Sequence, residues 1–349
     1  MTNKSMVRQS LAAAFLAALE QEQLPWEAGW TVPRPQNPVS GKPYRGINRL
    51  WLSYIAQKRG WMDPRWCTYR QAQEQGWQVR KGEKASKVEF WSVYDTKLHK
   101  SIDFREAEKL VQKDPEYQKN LRMNVKVYSV FNCSQVDGVP EWRRSRTDIG
   151  ALRDRRDTLL RNMAVKFREE GLEAYYSPIT DTVVLPPEGL FRDSYAYMAT
   201  LLHECGHASG HERRLGRDMT GRFGSESYAR EELRAEIASA FTAQELGFPG
   251  MDETHRQSHI AYVQNWITVL QNEPKELFRA VKAAEEISDY LLENGDFLTA
   301  PEHQPAALEP IQTSTGVLPR SSIREAIQRI RQAQQTPDTP SRTSIQLEL

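Results

Sequence analysis

A chain of 349 residues, 39% hydrophobic and 27% charged, has material for two modest domains, each able to bury a core. No apolar run approaches membrane-spanning length, Ser10 to Leu19 is short and followed at once by Glu20 and Glu22, and Cys67, Cys133 and Cys205 form no pairwise motif. These features speak against a membrane-spanning, secreted or disulfide-stapled protein, and a soluble protein of the reducing cytoplasm is expected. The net charge of +1 is unevenly spread, since residues 1–142 hold 22 Lys and Arg against 15 Asp and Glu while the remainder holds 25 against 31. The front is basic and the back acidic.

Met6 to Gln23 reads as an amphipathic helix with Leu11, Phe15, Leu16 and Leu19 on one side. From Leu24 to Tyr94 the composition changes: Trp26, Trp30, Trp51, Trp61, Trp66, Trp77 and Trp91 are interleaved with Lys and Arg. Aromatic faces accept unstacked bases and cations track a phosphate backbone, so the mixture suits a binder of single-stranded DNA. For any one tryptophan a place in a small core is the commoner role. What favours DNA is the basic, Gly- and Pro-bearing turns Asn37 to Asn48 and Trp77 to Lys87. Lys42, Arg45, Asn48, Trp51, Arg80, Lys81 and Lys84 are the candidate contacts. Val88 to Tyr94 and Val125 to Phe131 alternate as strands, with Asp95 to Lys119 between them as a long insertion or helix.

A second domain begins near Thr147. Asp148 can cap a helix bearing Leu152, Leu159, Leu160, Met163 and Phe167, ending near Gly171. Ala174 to Val184 reads as two short strands around Thr180-Asp181, and Thr182 to Leu185 as an edge strand beside the site that follows, where a peptide main chain can pair. Asp193 to His211 is a helical run containing His203-Glu204-Cys205-Gly206-His207. In His-Glu-x-x-His, two imidazoles one turn apart face one way and suit a metal, while Glu204 is placed to act as general base. Tyr228 to Gln244 forms a second amphipathic helix with Glu232 and Glu236 four apart. Glu232 is assigned as the third ligand and Glu236 as the carboxylate behind an imidazole, although Glu231, Glu232 and Glu236 can also be read as a solvated face. The ion is zinc, or another divalent ion such as Mn2+. His211 has the wrong spacing for a three-histidine site, and Cys205 should point into the core.

Helices Glu253 to Leu270 and Pro274 to Leu292 follow. From Ala300 onward Pro, Gln, Ser and Thr dominate, reading as a flexible tail with one short amphipathic segment, Ser321 to Gln334.

Several strings in this order are familiar. Asn37-Pro38, Gly41 to Asn48, Leu50-Trp51, Gln71-Ala72, Gly76, Val79 to Lys84 and Phe90-Trp91 resemble the N-terminal single-stranded-DNA-binding domain of ArdC-type antirestriction proteins, and Val130-Phe131-Asn132 with Gln135, Gly138 and Pro140 resembles its close. Leu185-Pro186-Pro187, Phe191, Tyr195, Tyr197, the His203 motif, Gly210-His211, Leu215, Glu232-Leu233 and Ala235-Glu236 are similar to that family's zincin-like metallopeptidase domain. The resemblance covers roughly Leu24 to Leu292, and its first half is shared with conjugative-plasmid primases. Cys205-Gly206 and Ala208-Ser209 depart from the bulkier residues common in the family.

The resemblance implies a plasmid- or mobile-element-borne protein that binds incoming single-stranded DNA and protects it during establishment. The expected fold is α+β: a small basic α+β single-stranded-DNA-binding domain over 1–146, a mostly helical zincin-like metallopeptidase domain over 147–297, and a tail over 298–349. Two functions stand side by side: a zinc peptidase with an unidentified protein substrate tethered to DNA, and a non-catalytic DNA-binding protein with a structural or vestigial metal domain, or a fragment-like relative of the primases.

Overall fold

A computed structural model describes residues 3–27, 32–143, 149–221, 225–248, 253–297 and 345–346. Trp30, the Asp148 cap, the join of the two expected domains and the Ser321 to Gln334 segment lie outside them.

The fold is α+β. Helix α1 spans Asn3–Leu19 and α2 Gly46–Arg59; strand β1, Trp66–Thr68, leads into the short α3, Tyr69–Glu74. Then come β2 (Gln78–Val79), β3 (Ser86–Asp95), β4 (Lys100–Ile102), α4 (Phe104–Lys113), β5 (Leu121–Asn132) and β6 (Val136–Asp137). Four strands make an antiparallel sheet in the order β1-β5-β3-β4, while β2 and β6 pair separately. The two long strands stay in continuous register from Ser86 opposite Val130 to Asp95 opposite Leu121.

Helix α2 was not expected from the loop reading of Asn37 to Asn48. Ile47, Leu50, Trp51, Tyr54 and Ile55 recur at helical spacing, and the helix starts at Gly46, so Asn48 and Trp51 are helical residues. Gly60, with φ of 67°, closes it in the left-handed conformation.

The second half comprises α5 (Ile149–Asn162), β7 (Lys166–Glu169), β8 (Glu173–Ser177), β9 (Thr182–Leu185), α6 (Ser194–Ala208), α7 (Glu226–Glu245), α8 (Glu253–Asn272) and α9 (Glu276–Asn294). Two expectations are corrected here. The helix expected to reach Gly171 stops at Asn162, Ala164 turns the chain with φ of 51°, and Phe167 belongs to β7. Val165 and Phe167 alternate with Lys166 and Arg168, and this period of two fits a strand. Thr182 to Leu185 is not an edge: β9 lies between β7, parallel to it, and β8, antiparallel, and all four of its residues are buried. An unbroken buried run is the mark of a central strand. On its other side β8 pairs through its first two residues with Ile345–Gln346, strand β10, which ends the sheet order β10-β8-β9-β7.

One apolar cluster joins both halves. Phe15 and Leu19 of α1, Trp26, and Leu50 of α2 pack in the same core as Tyr197, Leu201, Phe241, Trp266 and Ile287. The Trp26 and Trp266 rings meet edge to face, 5.1 Å between centroids. Arg49, fully buried, crosses the same boundary: Nε donates to Gln244 Oε1 at 2.7 Å, Nη2 to the Phe241 carbonyl at 2.5 Å, and Nη1 lies 3.2 Å from Glu285 Oε1 and 3.3 Å from Glu245 Oε1. Its guanidinium also stacks over the Phe241 ring at 4.1 Å.

Candidate metal centre and nucleic-acid contacts

Helix α6 is started by Asp193, whose carboxylate accepts from the Ala196 N–H at 2.8 Å. No proline interrupts the run to Ala208, so His203 and His207 fall on successive turns of one face, with their Nε2 atoms 3.2 Å apart. Helix α7 packs against α6 and brings Glu232 to the same point: Oε1 is 3.4 Å from His207 Nε2, and Oε2 is 4.0 Å from His203 Nε2. The ligand atoms of these three buried residues all lie within 4.8 Å of one another. Glu232 Oε1 makes no hydrogen bond of ordinary geometry although it is buried. Two imidazoles and a carboxylate, one of whose buried oxygens lacks a donor, fit a divalent cation.

Each imidazole has a carboxylate behind it. His203 Nδ1 is 3.3 Å from Glu236 Oε1, and His207 Nδ1 is 3.7 Å from Glu231 Oε1. Carboxylates on the Nδ1 side leave both Nε2 atoms directed at Glu232. Glu231 is itself held by Arg217, whose Nη2 donates to Oε1 at 2.6 Å and Nε to Oε2 at 3.2 Å. Arg217 also donates to the Gly206 carbonyl at 2.8 Å and to Ser209 Oγ at 2.7 Å, tying the end of the histidine helix to the carboxylate behind it. Glu231, which in the sequence reads only as part of a solvated face, is buried here, and Arg217 and Tyr228 carry no signal in the sequence; the Tyr228 hydroxyl hydrogen-bonds Glu232 and lies 3.4 Å from that of Tyr262.

Burial pushes Glu204 up to about 8; His207 and the Tyr176 backbone N–H on β8 oppose that, and Glu232 and Glu236 reinforce it. Burial also lifts Glu232 to about 7, against the pull of His207. For His207, burial favours the neutral ring, but Glu232, Glu231 and Glu204 together raise it to about 9. Burial disfavours a charged Glu231, yet its bonds to His207 and Arg217 prevail and hold it below the usual carboxylate range. Cys205 is buried in the apolar cluster, and His211 lies in the turn beyond the helix, where its Nδ1 accepts from the Arg213 N–H.

The sequence-based DNA contacts are divided by the fold. Asn48 clamps β3, donating to the Glu89 carbonyl at 2.6 Å and accepting its N–H at 2.9 Å. Trp51 packs between Phe15 and Tyr54. Arg45 is ion-paired with Asp289 and with Glu285 at 3.1 Å. Arg80 bonds the Ser134 carbonyl, Glu83 and Asp137. Lys42, Lys81 and Lys84 are exposed and have no ion pair among the described residues.

Comparison with known proteins follows the same division. A family model for the N-terminal domain of anti-restriction factor ArdC matches residues 5–131, and one for zincin-like metallopeptidase matches residues 154–283. Two Escherichia coli proteins named DNA primase TraC are 36% and 40% identical over 89% and 82% of this chain. The chain spans only 29% and 20% of their lengths. The uncharacterized protein y4eC of Sinorhizobium fredii (strain NBRC 101917 / NGR234) is 36% identical over 82% of this chain and 90% of its own. Crystal structures of the antirestriction ArdC protein from plasmid R388, metal-free and Mn(II)-bound, are 31% and 32% identical, each with a TM-score of 0.64, and this chain covers 98% and 97% of them.

Proposed function

The chain belongs to the ArdC family of antirestriction proteins, and from that premise we propose that it binds single-stranded DNA through its sheet domain and hydrolyses peptide bonds at a divalent-metal site, serving a plasmid or other mobile element on entry into a recipient cell. The observation that carries the peptidase reading is the buried group His203, His207 and Glu232 with Glu204 on the same helix. His203, His207 and Glu232 would hold the ion, zinc being the first choice for two imidazoles and a carboxylate. A bound ion of this kind supplies Lewis acidity, polarising a carbonyl and making water more acidic.

Glu204 takes the proton from the attacking water and returns it to the departing amine. Its burial favours the protonated form that it passes through between the two transfers. Glu236 and Glu231 hold the two imidazoles by their Nδ1 sides. The single-strand reading rests on the ArdC-type sheet domain and its exposed Lys42, Lys81 and Lys84; Arg45, Asn48, Trp51 and Arg80 are proposed to support that surface through the contacts described.

Metal analysis of the full chain and cleavage of a protein bound to single-stranded DNA test this together. Wild type should carry one divalent ion per chain and cleave; Glu204→Gln should keep the ion and lose cleavage; His207→Ala should lose both and melt earlier, because metal binding and folding are coupled. Cleavage that persists in Glu204→Gln would remove Glu204 from the chemistry. A wild type that holds its ion and cleaves nothing would leave the metal a structural role.

A further inference from the structure

The sheet β1-β5-β3-β4 has one face that is covered at one end only. Its register places Val88, Phe90, Ser92 and Tyr94 of β3 on the same side as Val130, Tyr128, Lys126, Asn124 and Arg122 of β5. Val88 and Val130 pack with Leu52 and Ala56 of α2, and beyond them the face opens. Phe90 is 59% exposed and Tyr128 42%, unusual for rings on a regular strand. They sit diagonally across the two strands, 6.4 Å between centroids, and Lys126 stands directly opposite Phe90.

The charge on this face is of one sign. The only carboxylates of the four strands are Glu89 and Asp95, and both lie on the opposite side, buried. Glu89 is consumed there by Arg8 at 2.9 Å and by the Trp91 indole at 2.8 Å. Lys126 is exposed and makes no ion pair among the described residues. Adjacent bare rings with a cation and no acid complement a polyanion with unstacked bases. A second copy of the chain would bring cation against cation.

We propose that this face is the platform for single-stranded DNA, with bases stacked on Phe90 and Tyr128 and the backbone passing Lys126. The proposal rests on the single-strand reading above and places the stacking on the sheet, away from Trp51, whose ring is packed against Phe15 and Tyr54. Every base has a π-face, so binding on such a platform tolerates sequence.

The test is anisotropy of a labelled oligo-dT strand with the full chain, across a salt series. Phe90→Ala with Tyr128→Ala should weaken binding about tenfold or more, while Phe90→Trp with Tyr128→Phe should keep it. Lys126→Ala should reduce the salt slope by about 0.7. Metal content and melting temperature should be unchanged in all three, because the substituted side chains are exposed. Wild-type affinity in the double alanine variant, with loss in Lys81→Ala, Lys84→Ala, would overturn the platform and leave single-strand binding standing in the loops. No binding by wild type would overturn both. A dimer of wild type that dissociates in the double alanine variant would assign the face to self-association and overturn the proposal.

Discussion

Glu231 and Glu236 differ from Glu232 in what they touch, and the difference is measurable. Glu232 reaches both Nε2 atoms, whereas Glu236 and Glu231 each stand behind one Nδ1. Glu232→Ala should abolish metal binding, and Glu236→Ala or Glu231→Ala should weaken it about 10–100-fold, as titration with a competing chelator would show. Complete loss in Glu236→Ala with retention in Glu232→Ala would reverse the two roles. That Glu232 and Glu236 share a face of α7 is legible in the sequence, because a helix fixes the angles between residues three and four apart. Glu231 was not legible, since its neighbour already faces the site. Only the way α7 packs on α6 decides that it turns inward to His207. Arg217 lies on a loop, where no periodicity marks it.

The loop after α6 is pinned at two points, by Arg217 as above and by Arg214. Arg214 donates to Asp181 at 2.9 Å through both Nη atoms and to the carbonyls of Met163 and Ala208, each at 2.8 Å. Asp181, at the β8–β9 turn, also accepts from the Tyr176 hydroxyl at 2.9 Å. Partial burial works against its charge, but the bonds from Arg214 and Tyr176 prevail and hold its pKa below the ordinary value. A depressed carboxylate stabilises the fold above its unfolded pKa, about 3.9, and that contribution is lost as pH falls through the lower folded value. Asp181→Asn should therefore melt earlier at pH 6 and show a shallower fall in melting temperature between pH 5 and the acid limit; parallel curves would refute the pairing. Elements with strong periodicity, α6 and α7, were readable because pattern and packing agree. The break at Asn162 was not, because Leu152 to Phe167 satisfies a helical pattern by chance across a helix and a strand. Thr182 to Leu185 has the pattern of an edge so long as its partners are unknown; both of them, β7 and β8, precede it in the sequence and flank it only in the folded sheet.

Across the whole molecule, Arg49 is the polar counterpart of the shared apolar core. Buried with Glu285 and Gln244 from the other half, it shares Glu285 with Arg45 and Arg34, so neutralising it alone leaves a buried carboxylate one partner short and Gln244 Oε1 without its donor. Arg49→Met keeps the bulk against Phe241 and removes the charge, and should cost about 3–5 kcal/mol in denaturant titration. Arg49→Met with Glu285→Gln should recover part of that loss. The unfolding of wild type should be a single transition by tryptophan fluorescence and by calorimetry, since Trp26 and Trp266 report from opposite halves yet touch. Two separated transitions would mean that the halves hold their own cores.

The shared core also bears on how such a gene can be cut and rejoined. A recombination breakpoint placed between the two family-matched regions looks harmless along the chain, because each side keeps its motifs. In three dimensions it would strand Trp26 and Leu50 on one product and Phe241 and Trp266 on the other, each with an apolar wound and a buried charge opened to water. The two family-matched segments should accordingly be inherited as one block, whatever is joined to its ends.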